Sequence, residues 1–126
     1  MRSRDPLILV VDDDPNIVRI VRVKLERNGL RVDAAANGRE ALVCIENARP
    51  DLILLDVMMP VMDGLELVQK LKDSSDLRTI PVFLLTARGQ MDDKKTAYRI
   101  GVEDYITKPF SPSEVLRRVQ AHFAEA

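Results

Sequence analysis

"LILVVDDDP", residues 7–15, is the stretch whose reading decides the fold. Five apolar residues, Leu7 to Val11, run without polar interruption into Asp12, Asp13 and Asp14, and Pro15 follows. An unbroken apolar run of this length reads as a strand covered on both faces, the habit of parallel sheets. Pro15 suits the first position of a helix, with Asp14 as its N-cap. Three adjacent carboxylates repel one another, so their place at the mouth of a core needs a chemical reason.

The same pattern recurs along the chain. Short apolar runs lie at 52–55 (LILL) and 80–85 (IPVFLL), with weaker strand candidates at 31–36 (RVDAAA) and 103–107 (EDYIT). Helical periodicity separates them. Residues 15–28 place Ile17, Ile20, Val21 and Leu25 on one face, and Asn28-Gly29 is a stop signal. Residues 38–48 carry a stripe of Ala41, Leu42, Ile45 and Ala48. Residues 64–73 carry Leu65, Val68 and Leu71, and Asp63-Gly64 reads as the turn before them. The stretch 90–100 has Met91, Ala97 and Ile100 as its apolar anchors. The last helix opens on Ser111-Pro112-Ser113-Glu114, a capping box, and buries Val115, Leu116, Val119 and Phe123. Strand and helix alternating five times predict an α/β fold: a (βα)5 doubly wound, five-stranded parallel sheet with right-handed crossovers. The expected strand order is the flavodoxin-like 2-1-3-4-5, which puts ligands beyond the carboxyl ends of strands one and three.

Composition sets the boundaries of the reading. The 126 residues, 46% hydrophobic and 31% charged, are enough for one domain with a single core, expected over about 7–123. A net charge of -1 argues against direct nucleic-acid binding, and no apolar run approaches membrane-spanning length. Cys44 is the only cysteine, which excludes an internal disulfide, fits a cytoplasmic location and reads as a small helix filler.

The chemistry-bearing residues gather where the topology demands. Asp12 and Asp13 close the first strand, Asp56 the third, Thr86 the fourth and Lys108-Pro109 the fifth. Two unit charges about 4 Å apart repel by roughly 4 kcal/mol at an effective dielectric near 20. Lys108 alone does not compensate three such carboxylates, so either some are protonated or a cation sits among them. Aspartate oxygens suit Mg²⁺ better than a soft metal, and no EF-hand spacing favours Ca²⁺.

"ILVVDDDP", "PDLILLDVMMPVMDGLE", "PVFLLTA" and "GVEDYITKPF" resemble, in order and over nearly the whole chain, the receiver domain of bacterial two-component response regulators. The resemblance implies a phosphorylation-dependent signalling switch with Asp56 as phosphoacceptor. It implies Mg²⁺, with Mn²⁺ as a substitute, held by Asp12, Asp13, Asp56 and the backbone carbonyl of Met58, one of the Asp12–Asp13 pair acting through water. Lys108 then pairs with the phosphoryl oxygens, followed by a cis bond to Pro109. Thr86 is the switch hydroxyl and Tyr105 the aromatic residue that rotates behind it. Ala87 leaves room for the phosphoryl group, and Arg88 flanks the site beside Met58. The phosphodonor would be a sensor histidine kinase, a phosphotransfer protein or a small acyl phosphate, since the chain has no GxxxxGK[ST] loop to hold ATP. The output would be a downstream effector domain or protein. A homodimer would use the face of the 90–100 stretch, the last strand and the last helix. Residues 1–126 then form a single receiver domain with no effector domain in this chain.

Three rivals remain. A Mg²⁺-dependent phosphatase using an aspartyl phosphate needs a second Asp two residues after the nucleophile, where this chain has Met58. A flavodoxin-like FMN carrier needs a Ser/Thr/Gly-rich loop after the first strand, where three aspartates would repel phosphate. A receiver-like docking module that is never phosphorylated would not need the residues this chain keeps. The expectation is therefore self-catalysed phosphoryl acceptance and hydrolysis rather than a turnover enzyme. His122 reads as a surface residue near a helix C-terminus, and Glu114–Arg118 as an intrahelical pair.

Overall fold

Every residue of the strand Leu7–Val11 is buried, as its unbroken apolar run requires. The computed structural model describes residues 5–56, 64–87 and 101–124. Its strands are β1 (Leu7–Val11), β2 (Arg31–Ala35), β3 (Leu52–Asp56), β4 (Val82–Ala87) and β5 (Asp104–Lys108). They form one parallel sheet in the order β2-β1-β3-β4-β5. Among the described residues there are four helices: α1 (Pro15–Glu26), α2 (Gly38–Asn47), α3 (Gly64–Asp73) and α4 (Pro112–Ala124).

Side-chain alternation along each strand divides the interior into two cores. Leu9, Val11, Ile53, Leu55, Val82 and Leu84 pack with Ala41 and Ile45 of α2 and with Leu67, Val68 and Leu71 of α3. Ile8, Val10, Leu52, Leu54, Leu85 and Ile106 pack with Val21 and Leu25 of α1 and with Val115 and Val119 of α4. Each fully buried Leu or Ile side chain is worth about 1.5–3 kcal/mol, so the central strands carry much of the stability.

Local signals place the ends of the elements. Asp14 caps α1 by accepting the Asn16 N–H at 2.9 Å, with Pro15 at the first turn. Gly29, at φ 85, closes the same helix, with Gly29 N–H donating to Glu26 O and Leu30 N–H to Leu25 O. Only glycine takes that backbone region without steric cost. Asn37 Oδ1 accepts the Glu40 N–H while Glu40 accepts the Ala36 N–H, a reciprocal cap on α2. Ser111 Oγ accepts the Glu114 N–H at 3.1 Å, the expected half of the α4 box, while the Glu114 carboxylate turns to Arg118.

Some expectations shift. β4 begins at Val82 rather than Ile80, because Pro81 has no N–H for a ladder and the Ile80 N–H closes a turn onto Leu77 O. Ile20 and Ala48 are exposed, leaving Val21, Leu25, Ala41 and Ile45 as the buried residues of their stripes, while Leu67 joins Val68 and Leu71 in the core. Phe123 is half-buried, and His122 is not a bare surface residue: its ring meets Phe83 edge-on at 5.7 Å and Phe123 at 5.0 Å. Cys44 is a helix filler half-buried against the α2 core, its thiol pushed up by burial and by nearby Asp33 and Glu40. The expected helix at 90–100 lies outside the described residues.

Candidate functional site

Parallel register brings the carboxyl ends of the strands to one edge, with Val11 beside Leu55, Asp56 beside Leu85, and Ala87 beside Lys108. Asp12 continues the ladder of β1 by donating its N–H to Ala35 O at 3.1 Å. Its Oδ1 accepts the Asp14 N–H at 2.9 Å, and its Oδ2 accepts from Lys108 Nζ at 2.9 Å. The same Nζ lies 3.4 Å from Asp56 Oδ1. Oxygens of Asp12, Asp13 and Asp56 all lie within 4.8 Å of one another. Asp12 and Asp56 are 2% and 5% exposed, whereas Asp13 faces solvent.

The three consecutive aspartates therefore divide into two kinds. Asp14 serves the helix, and Asp12 and Asp13 join Asp56 from the other side of the switch point. Burial works against the charge on Lys108, but its hydrogen bond to Asp12 and the charges of Asp12 and Asp56 outweigh that and hold the ammonium above its ordinary range. Among the described residues, the cluster sets three carboxylates around the single ammonium of Lys108. An all-oxygen donor set of this kind fits a hard divalent cation.

Thr86 is 1% exposed in β4, beside Thr107 of β5. Tyr105 is half-buried against the core on the α2–α3 side. The Lys108–Pro109 bond is cis, as expected, and Pro109 is exposed. Ala87 ends β4, but its side chain, the Met58 carbonyl and Arg88 lie outside the described residues.

Two polar contacts were not legible in advance. Arg118, expected to pair with Glu114, does so at 3.4 Å but lies closer to Asp104, at 2.8 Å, and also reaches Tyr105 O at 3.2 Å. The Asp51 carboxylate accepts the Leu7 N–H at 2.7 Å and anchors the start of β1. Neither has a local sequence signal, since one joins α4 to β5 and the other joins the starts of β1 and β3.

The comparisons with known proteins agree with this geometry. A profile of the response regulator receiver domain matches residues 8–120. The alkaline phosphatase synthesis transcriptional regulatory protein PhoP of Bacillus subtilis is 46% identical over 114 residues, covering 90% of this chain and 47% of that protein. The chain thus spans about half the length of the curated relatives it matches. Among solved structures, the chemotaxis protein CheY4 of Vibrio cholerae has a TM-score of 0.85 at 35% identity, covering 93% of this chain and 98% of that one. The receiver domain of the Francisella response regulator 1452 has a TM-score of 0.86 at 36% identity, covering 96% and 98%. A sheet of order 2-1-3-4-5 with its acidic cluster at the switch point, a profile match over most of the length and relatives of this similarity carry one conclusion: the chain belongs to the response regulator receiver domain family.

Proposed function

We propose that this chain is a phosphorylation-dependent signalling switch that accepts a phosphoryl group on Asp56. The observation that carries the reading is the buried Asp12–Lys108–Asp56 arrangement at the carboxyl edge, with exposed Asp13 beside it. Asp12, Asp13 and Asp56 would hold Mg²⁺, or Mn²⁺ in its place, together with the Met58 carbonyl. Both Asp12 oxygens are already engaged by Asp14 and Lys108, which favours Asp12 as the member that reaches the ion through water. When bound, the ion supplies positive charge to the transferring phosphoryl oxygens.

The residues do the rest by position. A carboxylate oxygen of Asp56 attacks phosphorus, and the bond to the donor's leaving group breaks with its electron pair departing on the imidazole or carboxylate. The Lys108 ammonium offsets charge on the phosphoryl oxygens. Thr86, in the neighbouring strand, would supply a hydroxyl bond present only in the phosphorylated state, and Tyr105 would follow it. Ala87 and Pro109 are assigned to the border of the phosphoryl pocket in this reading, and Arg88 and Met58 to its flanks. The chain accepts and loses its phosphoryl group without turning over a separate substrate.

The donor is proposed as a sensor histidine kinase, a phosphotransfer protein or a small acyl phosphate. An apolar hollow of about 400 Å³ beside Lys108, lined by Ile17, Ile20, Pro109 and Phe110, supports a protein donor, because such a donor must cover the mouth of the site. Residues 1–126 are read as one cytoplasmic receiver domain acting on an effector domain or partner protein, with a homodimer through β5, α4 and the 90–100 stretch as an added interaction. No helix among the described residues is long and apolar enough to cross a membrane. The test is to incubate the protein with acetyl phosphate and Mg²⁺ and weigh it intact. A phosphoryl adduct is expected on the wild type and not on Asp56→Asn; an adduct that survives the substitution at that site refutes the assignment.

A further inference from the structure

Asp12 and Asp14 make the same turn in succession. Asp12 Oδ1 accepts the Asp14 N–H at 2.9 Å, and Asp14 Oδ1 accepts the Asn16 N–H at 2.9 Å. Each is a carboxylate bonded to the backbone two residues on, and the second is also the cap of α1. We propose that Asp14 is a positioning residue for the acidic site: its cap on α1 holds the backbone amide that aims the Asp12 carboxylate. This rests on reading the acidic cluster as a divalent-cation site.

The chain before Pro15 has little freedom. A residue preceding proline is pushed into extended backbone, and Asp14 has φ -89 and ψ 108. In that conformation its N–H turns back onto Asp12 while its carboxylate turns forward onto the helix. Asp12 is 2% exposed, so an oxygen that lost this donor would find little water in exchange. The other Asp12 oxygen is held by Lys108, so the carboxylate is fixed at both ends. Without the Asp14 side chain the Asn16 N–H loses its acceptor, the first turn of α1 loosens, and the residue-14 amide is no longer fixed on Asp12. Groups that orient the carboxylates of a metal site are worth about 10–100-fold in metal affinity.

Three variants test the proposal. Asp14→Ala removes both cap and charge, Asp14→Asn removes the charge and keeps a capping oxygen, and Asn37→Ala removes the cap of α2. In the ion-free proteins, hydrogen exchange of the residue-14 amide, corrected for its intrinsic rate, should quicken severalfold in Asp14→Ala only. Mn²⁺ is then titrated at about 0.15 M salt, which screens the exposed residue-14 charge, with free Mn²⁺ read by electron paramagnetic resonance. Asp14→Ala is expected to bind about tenfold more weakly, and the other two to stay within about threefold of the wild type. Folded Asp14→Ala that binds Mn²⁺ like the wild type overturns the proposal. So does Asp14→Asn as weak as Asp14→Ala, which makes charge the cause, or Asn37→Ala as weak, which makes the effect a general loosening. A wild type that binds no Mn²⁺ overturns the cation reading itself, a different result from binding that ignores Asp14.

Discussion

At the carboxyl edge of the sheet Lys108 spans Asp12 and Asp56 at 2.9 and 3.4 Å; on the flank of β5 Arg118 spans Asp104 and Glu114 at 2.8 and 3.4 Å. One cation serves two carboxylates in each place, at nearly equal distances. The surroundings differ. The side chains of Asp104 and Glu114 are 29% and 31% exposed, so water screens them. The hydrogen bond that Arg118 donates to Asp104 is the main cause holding the guanidinium above its ordinary range. Asp12 and Asp56 are almost dry, and Asp13 adds a third carboxylate within 4.8 Å. Distance alone does not separate the two arrangements; burial and the number of carboxylates gathered do.

The largest contrast is chemical. With acetyl phosphate and Mg²⁺, Asp56→Asn should lose the phosphoryl adduct entirely while Asp104→Asn retains it, as read by intact mass. Equal loss in both would break the comparison. Next comes the response to cation. Mg²⁺ at about a hundredfold its dissociation constant should stabilise the wild type by about 2.7 kcal/mol in urea unfolding. Asp13→Asn should gain up to about 1 kcal/mol in chelator, through relief of repulsion, and respond much less to Mg²⁺. A variant that responds like the wild type would remove Asp13 from the site.

Smaller still is Arg118→Met, expected to cost about 0.2–1 kcal/mol, less at high salt, with adduct yield unchanged. A loss of several kcal/mol would show that the flank behaves like the buried edge. The smallest effect concerns Cys44, where Asp33 and Glu40 crowd an ionisable group that also loses solvation. The folded thiol titrates above its ordinary 9.0. Stability linked to it is therefore complete below the unfolded value and falls as pH rises toward the folded one. Alkylation by iodoacetamide near pH 9 should be slower in the native than in the denatured protein, and equal rates would contradict the shielding.

Much of this was legible in residue order. The run at 7–11 is β1 to the residue, Asn28-Gly29 ends α1, and Asp14 caps it, because each signal acts within a few residues. The clustering of Asp12, Asp13 and Asp56 followed from topology once five strand–helix units were recognised. Ile20 misled because helical periodicity identifies an apolar face but not how far a neighbouring helix covers it. For Arg118, i,i+4 spacing gave the pair with Glu114, which forms at 3.4 Å, but not the closer partner, Asp104, which stands on a strand.

The amino-acid sequence by itself determined the described elements, their order in the sheet and the edge at which the carboxylates gather, since short-range sterics, capping and apolar periodicity act along the chain. Only the tertiary structure decided which cation answers which carboxylate. Lys108 meets Asp12 from 96 residues away. Coulomb energy depends on a few ångströms of separation and on the water left between the charges, and both are set by packing.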